Sequence, residues 1–354
     1  MEKINHNKII IAREYRKIKQ SKLLEILNKK YSIKITQSDL SRIEKGYKVN
    51  ISQELITAIS EILDFPPTFF YTEGDIIDVK LSLFRKRQKL KSSDISFILG
   101  SVNIFVDICN LLLNDTKELN IDVPYFPIEK YKNPEQIARA LRIHWNIPQG
   151  PIMNLTEIME DNGIIINYID PNTKYFDGCS YTKYGLYFVF INPNMPGDRQ
   201  RFTLAHELGH IIMRNSSSPI KESENEANRF AAEFLMPEIE IGYNLKKIDL
   251  EKACYLKPYW KVSIAAIIRR ALTLKYINQA RYKSLCSYMA QKGYNTKEPF
   301  DIPKEIPTLF KEIIDIYRKE DNLSYDKIAQ MTHIPKIELL KFYNPQMNKI
   351  ARVS

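Results

Sequence analysis

The sequence predicts a multidomain chain: an all-α N-terminal domain, a helical linker, an α+β domain and a helical C-terminal extension. Three observations carry this. Residues 1–70 hold four or five short helical patterns. Residues 81–115 carry a basic start, Arg85, Lys86, Arg87, Lys89 and Lys91, and then a long apolar stretch that reads as one or two helices. Two strand-like runs, Ile164–Ile169 and Gly185–Asn192, flank an Asp177-Gly178 turn signal, and helical patterns resume after them. At roughly 100–200 residues per domain, 354 residues accommodate two or three folding units. The boundaries fall at 1–72, 81–120, 130–300 and 301–354.

Within the first segment, Gln20–Lys29 places Leu23, Leu24 and Leu27 at helical spacing. Thr36 can cap a helix over Gln37–Lys45 that Gly46 ends. Ser52–Leu63 forms the next helix, and Phe65-Pro66-Pro67 stops it. Asn120–Lys132 is Pro-rich and reads as a hinge. Pro134 suits the first turn of a helix that runs to Trp145. Asp198 can cap a helix over Arg199–Arg214, and Glu224–Leu235 makes a second, stopped by Pro237. Near the C-terminus, Tyr325–Tyr343 fits a helix-turn-helix or a plain helical hairpin equally well.

Composition excludes several classes. Apolar residues make up 44% of the chain, which is enough to bury a core and rules out wholesale disorder. The 11 glycines show no period, so fibrous folds fail. Cys109, Cys179, Cys254 and Cys286 are scattered without a CxxC, against a disulfide framework or a cysteine zinc knuckle. The N-terminus has no apolar signal region. Ile95–Leu113 is apolar but includes Gly100, Asn103 and Asp107, which suits a packed helix better than a membrane span. A cytoplasmic protein with no membrane partner is expected. The net charge is +10, and residues 1–50 alone supply 13 basic against 5 acidic side chains. A compact basic unit of this kind points to nucleic acid as a partner.

The sharpest chemical signal is His206-Glu207-Leu208-Gly209-His210. Two histidines four apart lie on one helical face and can reach a single metal ion, while Glu207 beside them can activate water. Phe202, Leu204, Ala205, Leu208, Ile211 and Ile212 make the helix largely buried. Zinc needs a third protein ligand and an open position. His6, His144 and His333 are remote in sequence, so a carboxylate of the next helix is expected. Glu226 is the first choice, on the face of Phe230 and Glu233 with small Ala227, Ala231 and Ala232 allowing close approach; Glu222 is the second. Ser223 and Glu226 also fit a capping box. Tyr181, Tyr184 or Tyr187 could stabilise an oxyanion, and the sequence does not choose among them.

Arg199–His210, reading RQRFTLAHELGH, resembles the central motif of the ImmA/IrrE-type zinc metallopeptidases. Glu224–Pro237, ENEANRFAAEFLMP, resembles that family's second motif. The stretch with Asp177-Gly178, Ile191-Asn192 and Pro196-Gly197-Asp198, and the helix in KPYWKVSIAAIIRR from Lys257 to Arg270, extend the likeness. The resemblance implies a gluzincin-like peptidase with His206, His210 and Glu226 as ligands and Glu207 as catalytic acid and base. It also implies zinc as cofactor, with manganese the alternative, and a repressor or antitoxin-like protein as substrate.

Gln37-Ser38-Asp39-Leu40-Ser41-Arg42-Ile43-Glu44-Lys45-Gly46 resembles the recognition-helix end of an XRE/Cro-like helix-turn-helix, and Gln20–Leu27 its first helix. The residue chemistry agrees. Gln37 can read adenine, and Ser38 and Ser41 can touch base or phosphate. Arg42, Lys45, Lys48 and the helix starts, including Gln20, can hold the duplex backbone. The turn spanning Asn28–Ile35 is longer than usual, and Leu24 stands where the motif prefers a small residue. Such domains bind double-stranded DNA as dimers, so a homodimer is expected. The whole chain reads as a DNA-binding regulator with a zinc-dependent endopeptidase domain; the competing reading keeps the DNA-binding part and makes the peptidase domain a non-catalytic sensor.

Overall fold

A computed structural model describes residues 4–47, 51–76, 90–114, 119–214 and 219–344. Lys48 and the basic run from Arg85 to Lys89 lie outside the described residues. The described residues are rich in helix, with one small sheet. In chain order the first helices are α1 His6–Tyr15, α2 Gln20–Lys30, α3 Gln37–Glu44, α4 Gln53–Leu63 and α5 Ser92–Asn114. Then come α6 Ile128–Tyr131, α7 Pro134–His144, α8 Leu155–Asp161, β1 Ile164–Tyr168, β2 Gly178–Lys183 and β3 Leu186–Ile191. The remainder is α9 Gly197–Met213, α10 Ile220–Leu235, α11 Glu238–Leu245, α12 Leu250–Trp260, α13 Ile264–Thr273, α14 Gln279–Gln291, α15 Leu309–Lys319, α16 Tyr325–Met331 and α17 Lys336–Tyr343.

The chain divides into two compact units. The first gathers Met1–Leu119, Asn167–Phe176 and Leu309–Ser354; the second holds Asn120–Ile166 and Asp177–Thr308. The first unit's helices start where the sequence provides caps. The Asn5 side chain accepts from Asn7 N, Ser52 from Leu55 N, and Thr36 and Asp39 close a reciprocal capping box on α3. The segment read as a linker is instead this unit's central core helix. On α5, Ile98, Val102, Phe105, Val106 and Cys109 are buried. A Cβ on Gly100 would sit 2.5 Å from the backbone N of Tyr15, so only glycine lets α1 cross there. The C-terminal helices complete the same core: the Phe105 ring lies 4.7 Å from Phe310 and 5.3 Å from Phe342. Glu338 of α17, fully buried, accepts from the Tyr15 hydroxyl and from Arg16 Nη1 at 2.6 Å. The Tyr325–Tyr343 segment therefore forms a packed helical hairpin whose second helix is committed to the unit's interior. Of the described helices, α5 alone is long and apolar enough to cross a membrane, and most of its apolar stretch is buried.

The second unit is built on a three-stranded sheet of order β1-β3-β2. The sequence showed β1 and β3 but not β2, whose residues GCSYTK lack an apolar run. β2 pairs antiparallel with β3, Ser180 opposite Val189, and forms a sheet edge. A Cβ on Gly178 would lie 2.7 Å from Phe190 O and 2.8 Å from Thr203 Cγ2, so glycine lets β2 approach α9 closely. Gly209 does the same between α9 and α10, where a Cβ would meet the Phe230 ring at 2.9 Å.

Buried ion pairs fix the helices around this pair. Glu233 of α10 takes Arg270 of α13 and Arg139 of α7. Arg201 of α9, 1% exposed, pairs with Glu305 and donates to Ile152 O at 2.7 Å. Burial pulls the Arg201 pKa down to about 10, still well above neutrality. Asp198 does not cap α9, which begins at Gly197 after Pro196; its carboxylate pairs with Lys257 at 2.7 Å.

Candidate metal centre

α9 carries His206, Glu207 and His210 through its middle, and α10 packs against it. The two imidazoles sit one above the other with centroids 4.8 Å apart. Their Nε2 atoms lie 3.2 Å from each other. The carboxylate of Glu224 completes the group, with Oε1 at 3.4 Å from His210 Nε2 and Oε2 at 3.7 Å from His206 Nε2. One ligand atom from each of the three residues lies within 4.8 Å of those of the other two. Around a tetrahedral ion with bonds of about 2.0–2.1 Å, ligand atoms lie about 3.3–3.4 Å apart, close to the 3.2 Å between the imidazole nitrogens and the 3.4 Å from His210 Nε2 to Glu224 Oε1.

The carboxylate that lies beside the two imidazoles is thus Glu224, where the sequence favoured Glu226. Residues two apart on a helix point about 200° away from each other, so only one of the two can face the imidazoles. Glu226, 8% exposed, shares its face with Phe230 and Glu233, and Glu233 is spent on Arg270 and Arg139. That is the packing face of α10. Glu222, the second choice, is exposed. The capping box at Ser223 and Glu226 does not form either, because α10 starts three residues earlier, at Ile220.

The second layer orients the ligands. Asn228, one turn beyond Glu224, places Oδ1 3.1 Å from His206 Nδ1. An acceptor there keeps the proton on Nδ1 and leaves the Nε2 lone pair free to face the cluster. Ser223 Oγ lies 3.5 Å from His210 Nδ1. Burial pushes the His206 pKa down despite the nearby Glu207 and Glu224 carboxylates. Burial also opposes charge on His210, but Glu224, Glu207 and Glu226 outweigh it and raise its pKa. Glu207 is 5% exposed and accepts a hydrogen bond from Ser180 Oγ at 2.8 Å, which ties the carboxylate to the edge strand β2. Cys179 is buried, and burial together with Glu207 holds its thiol well above the ordinary range, so it stays protonated. Of the three tyrosines, Tyr187 receives a hydrogen bond from Arg214, Tyr184 is exposed in the β2–β3 turn with φ 57°, and Tyr181 is half-buried on β2.

Residues 159–272 match a peptidase family described as the IrrE N-terminal-like domain. The match runs from α8 to α13 and includes the whole His206–His210–Glu224 cluster. No curated protein matches the chain. The N-terminal helices lie outside the matched residues.

In the first unit, of the residues expected to meet DNA, Gln20 starts α2, Gln37 and Ser38 start α3, Ser41 follows, Arg42 lies in the last turn of α3 and Lys45 just after it. Gln37 Nε2 donates to Gln20 Oε1 at 2.9 Å, and Gln20 Nε2 donates to Glu44 Oε2 at 2.6 Å. Glu44 is fixed in turn by Arg13 at 2.7 and 2.8 Å, a structural role for that carboxylate. Gln37, Ser38, Arg42 and Lys45 are exposed and Ser41 is half-buried. Leu24 is half-buried, and residues 31–36 join α2 to α3.

Proposed function

We propose that the chain is a DNA-binding regulator with metal-dependent endopeptidase activity. The convergence of His206, His210 and Glu224 beside the buried Glu207 carries this reading, supported by the peptidase-family match over residues 159–272. Two imidazoles and one carboxylate are zinc's preferred donors, with manganese the alternative. A divalent ion held there supplies Lewis-acid polarisation of the scissile carbonyl and makes water acidic enough to ionise near neutrality. Glu207 takes the proton of the attacking water and delivers it to the leaving amine. Ser180 holds that carboxylate in place. The open edge of β2 offers backbone groups to an extended polypeptide running past Glu207.

The N-terminal unit supplies the address. α3 enters the major groove of double-stranded DNA with Gln37 reading a base, backed by Gln20, while Ser38, Ser41, Arg42 and Lys45 hold base edges and phosphates. Lys48 joins them from outside the described residues. The chain acts as a homodimer in a reducing cytoplasm, and the substrate is a repressor or antitoxin-like protein.

The test is a full-length comparison of wild type with Glu207→Gln on a peptide library, after loading with zinc or manganese and with mass-spectrometric readout. Wild type should cleave and the variant should bind metal normally without cleaving. Metal binding with no cleavage by wild type would make the site a sensor. Equal cleavage by both would remove Glu207 from catalysis.

A further inference from the structure

A cleft of about 1000 Å³ opens in the second unit beside the His206 site. Asn228 belongs to both: its side chain meets His206, and it lines the cleft wall. From there the cleft runs along α9 past Phe202 and Arg199, one and two turns before His206. The opposite wall is α13 with the segment 294–304. Its volume reaches the upper end of the range for ligand pockets, about 300–1000 Å³, and accommodates several peptide residues.

The lining is strongly basic: Arg199, Arg229, Lys257, Arg269, Arg270, Lys297 and Lys304 face three acids, Asp198, Glu298 and Asp301. Several of these charges are already committed. Lys257 lies between Asp198 and Glu298, Arg270 pairs with Glu233, Arg229 with Glu135 and Arg199 with Asp177. Arg269 and Lys297 are different. Both are exposed, and among the described residues neither has a carboxylate partner; Arg269 only rests over the Tyr282 ring at 5.7 Å. Cations lining a concave, low-dielectric wall raise the local concentration of anions. Apolar surface from Phe202, Ala232 and Ala266 lies in the same cleft and suits the stem of a longer acidic side chain.

We propose that this cleft selects the substrate: it receives an acidic stretch of the polypeptide, Asp or Glu beside the scissile bond, through Arg269 and Lys297. The proposal rests on the peptidase reading of the neighbouring site and adds the class of sequence cut there.

The test measures binding and cleavage separately, using the full chain. Binding is read by fluorescence anisotropy with labelled Glu-rich, Gln-rich and Lys-rich peptides on Glu207→Gln, which keeps the cleft. Glu-rich peptide should bind at least about tenfold tighter than Gln-rich, as expected for close charge pairs. Adding Arg269→Glu and Lys297→Glu should abolish that preference and favour the Lys-rich peptide. A charge-matched control, Lys319→Glu with Lys327→Glu on exposed positions of the other unit, should leave it intact. Thermal melts confirm folding, and Arg269→Lys should keep the preference. Library cleavage by the Glu207-intact chain should show acidic residues enriched beside the cut. Acid preference in binding without any cleavage would leave the acidic-peptide site at Arg269 and Lys297 standing and overturn the peptidase reading. Cleavage with no acidic enrichment, or binding indifferent to reversal at Arg269 and Lys297, would overturn the proposal. So would equal, reversal-sensitive binding of a single-stranded oligonucleotide of matched charge.

Discussion

Asn228→Ala removes one interaction at the metal centre, the acceptor 3.1 Å from His206 Nδ1. Without it the imidazole samples both tautomers and rotates more freely, so a fraction of molecules presents the wrong nitrogen to the ion. Loss of such second-layer partners costs about 10- to 100-fold in metal affinity. Asn228 is neutral and exposed, which places the effect near the low end, about tenfold or 1.4 kcal/mol. Fold stability should barely change, within about 0.5 kcal/mol, because no core contact is lost. The assay is competition for zinc against a chromophoric chelator, with a urea melt of the metal-free chain alongside. Asn228→Asp, a charged acceptor at the same position, should restore or tighten binding. An Ala variant with wild-type zinc affinity would show that His206 is oriented by packing alone.

Other outcomes follow from the same geometry. Gln37→Ala should alter the sequences recovered from a random duplex selection, whereas Arg42→Ala should weaken all duplexes alike and flatten the salt dependence by about 0.9 in log–log slope; failure to enrich any site would count against DNA reading by α3. Gly209→Ala forces a Cβ to 2.9 Å from the buried Phe230 ring, and overpacking of about 1–3 kcal/mol should exceed the gain of about 1 kcal/mol in helix propensity; a more stable variant in urea melts would refute the close α9–α10 contact. Burial alone would raise the Glu338 pKa, but Arg16, Tyr15 and Lys341 together hold it below the usual value. Its contribution to stability is therefore full above the unfolded-state pKa of about 4.3 and fades as pH falls through the lower folded value. Acid titration of wild type should show that loss, and Glu338→Gln should show a flatter profile over the same range.

Local signals in the sequence marked much of this structure. The HExxH spacing placed two imidazoles on one face of a buried helix, and the caps at Thr36 and Ser52 located α3 and α4 directly. β2 was missed because an edge strand with Ser180 and Thr182 on one side has no apolar run to betray it. Glu226 stands out in the sequence through its face-mates Phe230 and Glu233, but these belong to a packing face where Glu233 pairs with Arg270 and Arg139. A usable signal did exist: Glu224 and Asn228, at i and i+4, form a polar pair lying one above the other along α10. Ser92–Asn114 read as a linker since periodicity reveals burial but not which element is the partner. That partner includes Phe310 and Phe342, more than 200 residues away, a pairing that only the tertiary fold specifies.

The central claim is that the metal is held by His206, His210 and Glu224. It is tested most directly by elemental analysis and chelator competition on full-length wild type, Glu224→Ala and Glu226→Ala. One ion per chain should bind to wild type, the Glu224 variant should lose tight binding, and the Glu226 variant should retain it. Retention in Glu224→Ala with loss in Glu226→Ala would contradict the account.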